Sequence, residues 1–192
     1  FFTTAIFSII GVLAAAQPWM MRPQGPANEF SAMEGTSVLN YNLQMERDIH
    51  SRAGFGPAFY IFPDSKLDNN QALELAGKLD LVNIIKEYGG RIMVVNPSSD
   101  KWQEQDLENF RRLIGMGGSP TNVKVIGIGS GATFVNRHLA ATDLTGVIAG
   151  IVSIDGEPGK ICKLPVPAFI GGKNAAKAAK PYQATSDAAP AD

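Results

Sequence analysis

Histidine is scarce in this chain of 192 residues: His50 and His138 are the only two. The single cysteine, Cys162, excludes an internal disulfide. Set in an apolar, lysine-flanked segment, it reads as a packed thiol rather than a reactive one. No basic run is present and the net charge is −1, which argues against nucleic acid as a partner. No metal site and no cofactor is expected. No apolar run reaches the roughly 20 residues that a spanning helix needs, so no membrane span is expected in the mature chain. Residues 1–16 are almost wholly apolar and run into Ala14-Ala15-Ala16-Gln17-Pro18. That is an h-region followed by a small-residue cleavage site, as in a secretory signal peptide. The usual positive n-region and start methionine are missing, so the first few residues are expected to be missing from the sequence. The mature chain is expected to start near Gln17 and to be secreted, either extracellular or periplasmic. A buried N-terminal helix is the alternative.

What is present suits one globular domain: 45% of the residues are hydrophobic and 18% charged. Residues 17–36 carry Pro18, Pro23, Gly25, Pro26 and Gly35 and read as an irregular lead-in. From 37 to 45, Leu39, Tyr41, Leu43 and Met45 alternate with Asn40, Asn42 and Gln44, the pattern of a half-buried antiparallel strand near a sheet edge. Residues 57–62 form a compact apolar run, a central strand that ends at Pro63-Asp64-Ser65. Asp68-Asn69-Asn70 can cap a helix over 71–88, with Leu75, Leu79 and Val82 on one face and Gly89-Gly90 ending it. A strand over 91–96 follows. Asp100 with Gln103 resembles a capping box for a helix striped by Leu107, Phe110 and Ile114. Later strands are expected over 147–154 and 166–170. The tail from Lys173 begins as a helix candidate, and 181–192 reads as a flexible Ala/Pro/Asp segment. Strands alternating with helices imply a three-layer α/β/α sandwich around a mainly parallel sheet.

One stretch organises the rest: Val123-Lys124-Val125-Ile126-Gly127-Ile128-Gly129-Ser130-Gly131-Ala132-Thr133-Phe134. It reads as a buried strand, a glycine-tight turn and a helix over 132–141. This arrangement serves two chemistries. It can present a nucleophile on a tight elbow, or it can wrap the phosphates of a dinucleotide with Gly127, Gly129 and Gly131, Asp155 holding the ribose. The second reading is weakened because at least three strands precede the turn and the spacing from Gly131 to Asp155 is long.

The elbow, the strand ending Ser153-Ile154-Asp155-Gly156, and Leu164-Pro165-Val166-Pro167-Ala168-Phe169-Ile170-Gly171-Gly172 together resemble the second half of an α/β-hydrolase. Residues 80–97, with Glu87-Tyr88-Gly89 leading into a strand, are similar to secreted esterases of the polyhydroxybutyrate-depolymerase and feruloyl-esterase type. The resemblance covers about residues 37–180. It implies an α/β-hydrolase fold, C-terminally incomplete, and an ester-containing small molecule or polymer as substrate.

An elbow needs small residues two before and two after its nucleophile. Gly127 and Gly131 flank Gly129 in that way, whereas Ser130 would be flanked by Ile128, branched at Cβ, and Ala132. Sterics therefore place Gly129, which carries no reactive atom, in the nucleophile position. The candidate catalytic residue is Ser130, one place further on, with backbone N–H groups at Ser65, Ser130 and Gly131 as oxyanion donors. The resemblance puts the acid after the Gly171-Gly172 strand end, where Lys173 and Asn174 stand, and an Asn cannot carry the charge that steadies an imidazolium. Asp187 lies further on. His138 reads as a helix-face histidine and His50 as a solvated one. Asp64 and Ser65 replace the His-Gly expected in the oxyanion loop. Two explanations fit together: the missing histidine lies beyond Asp192, or the fold survives as a binding module without its chemistry.

Overall fold

The computed structural model describes residues 28–33, 36–41, 57–81, 83–84, 90–116 and 122–188. In chain order the elements are β1 (Asn28–Met33), β2 (Thr36–Tyr41), β3 (Ala58–Phe62), α1 (Asn69–Lys78), β4 (Arg91–Val95), α2 (Gln105–Met116), β5 (Val123–Ile128), α3 (Ser130–Phe134) continuing as a π-helical turn over Val135–Leu139, β6 (Ile148–Ile154), β7 (Ala168–Gly171) and α4 (Ala175–Ala188). The strands form one sheet in the order β1-β2-β4-β3-β5-β6-β7. β4, β3, β5, β6 and β7 run parallel, and β2 is antiparallel to both of its neighbours. A dinucleotide-binding sheet is ordered 3-2-1-4-5-6. Here the glycine turn instead follows the fifth strand, beside the loop that follows β3, as in the α/β-hydrolase fold.

Alternation along the parallel strands divides the core between two faces. Tyr60, Phe62, Met93, Val95, Val123 and Val125 point to one side, where Phe110, Leu113 and Ile114 of α2 and Phe134 and Leu139 of the α3 segment cover them. Ile61, Ile92, Val94 and Ile126 point to the other, against Ala72 and Ala76 of α1. On β6 both Ile148 and Ile151 reach the first face although they are three apart. The ladder explains this: Val123 pairs with Ile148 but Lys124 with Gly150, so Ala149 is an extra residue that turns the strand by one position. α1 covers the β3–β4 half of its face. The other half is an open apolar recess of about 700 Å³ lined by Phe59, Ile84, Lys124, Val152 and Phe169, the last 65% exposed.

Several boundaries differ from the sequence reading. The irregular lead-in contains β1, which pairs antiparallel with β2 from Asn28↔Asn40 to Met33↔Thr36. Pairing with a chain neighbour decides this, and composition does not report it. The strand expected over 37–45 is described from Thr36 to Tyr41, and it sits one strand in from the edge. The helix expected over 71–88 starts earlier. Asp68 is its cap: Gln71 N–H donates to Asp68 Oδ1 at 2.9 Å, and Asp68 N–H donates to Gln71 Oε1 at 3.0 Å. α1 then ends at Lys78, and Asp80 adopts φ 56°, a left-handed conformation that a continuous helix cannot contain. The capping role expected of Asp100 falls to buried Asp106, whose carboxylate accepts from Gln103 N–H (2.8 Å) and Ser98 N–H (3.0 Å). The helix after the glycine turn starts at Ser130, not at 132.

The tail differs most, since α4 continues through Pro181 to Ala188 where a flexible segment is expected from 181. An interior proline forfeits one backbone hydrogen bond. Buried Ala178, and Tyr182 packed on the first core cluster, hold the helix in place despite that loss.

Tyr60 is fully buried, and its hydroxyl has no hydrogen-bond partner among the described residues. Burial raises its pKa, with Arg91 pulling the other way. The ring stands edge-on to Phe110 at 5.3 Å and carries the packing. Tyr60→Phe keeps the ring and removes the stranded hydroxyl. It is expected to raise unfolding free energy by about 1 kcal/mol, the usual cost of one unsatisfied polar group, read as a higher urea midpoint at unchanged slope.

Candidate functional site

The site forms where β5 meets α3. Gly129 has φ 57° and ψ −119°, a backbone conformation that L side chains rarely adopt. Its N–H donates to Ile154 O at 2.9 Å, which fixes the corner against the end of β6. The turn is as tight as its glycines imply. A Cβ on Gly127 would lie 2.6 Å from Ala132 Cα, and one on Gly131 would lie 2.1 Å from Phe62 O. Both flanking positions thus admit only hydrogen. Ile128 is half-buried and packs with the α1-side core, away from that close approach.

The loop after β3 closes over the corner. Ser130 N–H donates to Asp64 Oδ1 at 2.6 Å, and Ser130 Oγ–H donates to Asp64 O. A Cβ placed on Gly129 would meet Asp64 Oδ1 at 2.2 Å and Asp64 Cγ at 2.6 Å. The Asp64 carboxylate therefore fills the space that a side chain at 129 would need. Trp102 ties the same loop down from outside, its Nε1–H donating to Pro63 O at 2.9 Å. Trp102 stacks on Phe134 at 4.9 Å, and Phe134 meets the His138 ring at 5.6 Å. A cleft of about 430 Å³ opens along this ladder, lined by Asp64, Lys101, Trp102, Ser130, Arg137 and His138.

A second polar cluster lies behind the helix. Thr133 Oγ1 accepts from Glu157 N–H at 2.9 Å, and Glu157 O accepts from Asn136 Nδ2–H at 2.9 Å. Asn174 Nδ2–H donates to Glu157 Oε1 at 3.0 Å. Tyr182 Oη–H donates to Asn136 Oδ1 at 2.9 Å. Burial, then the neighbouring Cys162, pushes the Tyr182 phenol well above its ordinary value, so it is a donor throughout the working range. Asp155 ends β6 at φ 56°, and its Oδ1 accepts from Lys173 N–H at 2.9 Å.

The structure brings Gly127, Gly129, Ser130 and Gly131 together at one corner and sets His138 on the same cleft as Ser130. Ser65 lies on a neighbouring recess of about 270 Å³ with Gln71, Glu74, Lys78 and Ile128. Asn174 is engaged with Glu157, Asp187 falls in the last turn of α4, and His50 lies outside the described residues. Two participants escape the sequence reading. Asp64 reads there as part of a strand-ending turn and as a replacement in the oxyanion loop, but nothing local signals that its carboxylate crosses to residue 129, 65 positions away. Glu157, just past the strand over 147–154, carries no site signal in the sequence. Among the described residues no group of three or more His, Cys, Asp or Glu side chains could hold a metal ion, and no helix is long and apolar enough to cross a membrane.

No protein-family model matches the chain, and no curated protein matches it. Solved structures resemble it in chain path. MGS-M1, an alpha/beta hydrolase enzyme from a Medee basin deep-sea metagenome library, is 17% identical at a TM-score of 0.49, over 77% of this chain and 65% of its own. Est1E from Butyrivibrio proteoclasticus is 11% identical at 0.48, over 69% of this chain and 51% of its own. A sugar hydrolase, YeeB, from Lactococcus lactis is 16% identical at 0.49, over 68% and 53%. The chain thus spans between half and two thirds of these structures. The strand order and the conformation of the elbow, independently of these likenesses, are those of an α/β-hydrolase fold.

Gly131→Ala tests the close approach. Its methyl would strike a backbone carbonyl that cannot rotate aside. The expected loss of unfolding free energy is about 3 kcal/mol, the upper end of overpacking costs, measured by urea denaturation. Gly115→Ala, where no atom lies within 4 Å of the added Cβ, is the control.

Proposed function

We propose that this is an exported protein of the secreted-esterase type, related to polyhydroxybutyrate depolymerases and feruloyl esterases, in which Gly129 takes the nucleophile position and serine-type ester hydrolysis is lost. Its ligands belong to the ester-containing small molecules or polymers that such enzymes cleave, held in the cleft along Trp102 and Phe134. One observation carries the reading. Gly129 holds a left-handed elbow conformation between two glycines that tolerate no side chain, and Asp64 fills the space above it. An elbow strains one residue to present it, and here that residue has nothing to present.

Ser130 does not replace it in this reading. Both its N–H and its hydroxyl are engaged with Asp64. An acyl-enzyme step needs a free hydroxyl, a base to take its proton and open donors for the oxyanion. Asn174 faces Glu157 rather than an imidazole. The dinucleotide reading loses support from the same contact: a pyrophosphate at this turn would face the Asp64 carboxylate, and Asp155 is engaged with Lys173 N–H.

A fluorophosphonate probe applied to the folded protein should leave every serine unlabelled; a phosphonylated Ser130 would overturn the proposal. Export predicts that protein recovered outside the cytoplasm begins near Gln17, read by N-terminal sequencing. Recovery of a chain that retains residues 1–16 would remove that part of the proposal alone.

A further inference from the structure

We infer that the open recess on the α1 face of the sheet is a second ligand site, one that takes a free medium-chain fatty acid with its carboxylate on Lys124 and its chain laid across the sheet to Phe169. The recess holds about 700 Å³, within the roughly 300–1,000 Å³ typical of small-ligand pockets. It shares no lining residue with the cleft along Trp102 and Phe134. The inference therefore goes beyond the elbow and does not depend on what that cleft binds.

The register of β5 on β6 shapes the floor. Val123 pairs with Ile148, and the extra Ala149 makes Gly150, which has no side chain, the partner of Lys124. The Lys124 stem lies over that gap: a Cβ on Gly150 would meet Lys124 Cδ at 3.3 Å and Nζ at 3.6 Å. The Lys124 ammonium donates to Ala149 O at 3.0 Å, which holds the head of the side chain against the sheet. Phe59 pairs with Lys124 from β3 and extends the floor on that side. Two residues further along the strands, Ile126, Val152 and Phe169 stand side by side on β5, β6 and β7. Phe169 is 65% exposed, a large ring left against water at the far wall. A contiguous exposed apolar surface of this kind marks an interaction site.

Charge decides the occupant. Lys124 is the one charged side chain among the described residues that line the recess, and no ion pair among the described residues reaches it. An ammonium carries three donors, and Ala149 O uses one. A ligand carboxylate satisfies the others, and its hydrogen bonds gain strength from the apolar walls. The rest of the ligand must be apolar, because the remaining floor offers aliphatic and aromatic side chains. Length follows from the ladder. Phe169 lies two strand spacings across and two residues along from Lys124, about 12 Å. That is about the extended length of decanoate.

The test is equilibrium dialysis of the folded full chain against octanoate, decanoate, dodecanoate and decanol, each below its micelle concentration or solubility limit. Each methylene up to decanoate should tighten binding about twofold, half the gain of full burial because an open recess covers one side of the chain. Dodecanoate should gain nothing further. Decanoate should bind about tenfold more tightly than decanol, the share of the charged hydrogen bonds. Lys124→Met keeps the length of the stem and should erase that preference while decanol binding persists. Phe169→Asp, at an exposed position, should weaken decanoate about tenfold or more. Decanoate bearing a diazirine at its far end should crosslink to residues 164–173 of the unmodified sequence, a readout that needs no variant. No binding, an acid preference that survives Lys124→Met, or a crosslink to Trp102 or Phe134 overturns the inference. So does a dimer in sedimentation that Phe169→Asp disperses and decanoate leaves intact, since a second copy then covers this face.

Discussion

The structure depends on one close approach, that of the start of α3 to the end of β3. A Cβ on Gly131 would lie 2.1 Å from Phe62 O, and on the β5 side one on Gly127 would lie 2.6 Å from Ala132 Cα. Backbones this near cannot slide past one another. The approach brings the Asp64 loop over residue 129, and Trp102 and Ser130 then pin that loop from two directions. It also seats Phe134 between Phe62 and Trp102, with ring centroids 5.7 Å and 4.9 Å away, so the aromatic core and the corner settle together. The π-helical turn that follows, with Ala140 N–H donating to Val135 O at 2.8 Å, widens the helix just below this stack.

The parallel core was legible because its signals are local. Each run of apolar residues at β3, β4, β5 and β6 is short and bounded by turn residues, and the glycine spacing at 127, 129 and 131 states the tightness of the corner outright. What escaped was set by distant partners. β1 looks irregular until β2 lies beside it. Pro181 looks like a helix end until Tyr182 is seen packed on the core. The helix after Asp68 looks continuous because Asp80 departs from it through backbone conformation rather than composition. Of the site, the glycines and the misfit of Ser130 could be read. The reach of Asp64 could not, because it depends on a loop and a turn 65 residues apart.

The cluster around Glu157 shows how polar groups hold the last helix. Glu157 takes Thr133, Asn136 and Asn174 as partners, and Tyr182 closes the chain of contacts through Asn136. α3, the end of β6 and α4 are thereby joined by neutral donors and one carboxylate. Such a network is rigid when each member is satisfied. It compensates for the weak edge that β7, four residues long, offers the helix behind it.

The contact between residues 64 and 129 also couples the two positions. A side chain cannot enter at 129 by one change, because it would collide with a carboxylate already in place. Trimming the aspartate first would strip Ser130 N–H of its acceptor and give nothing in return. The two positions therefore form an epistatic pair: a larger residue at 129 fits only together with a smaller one at 64.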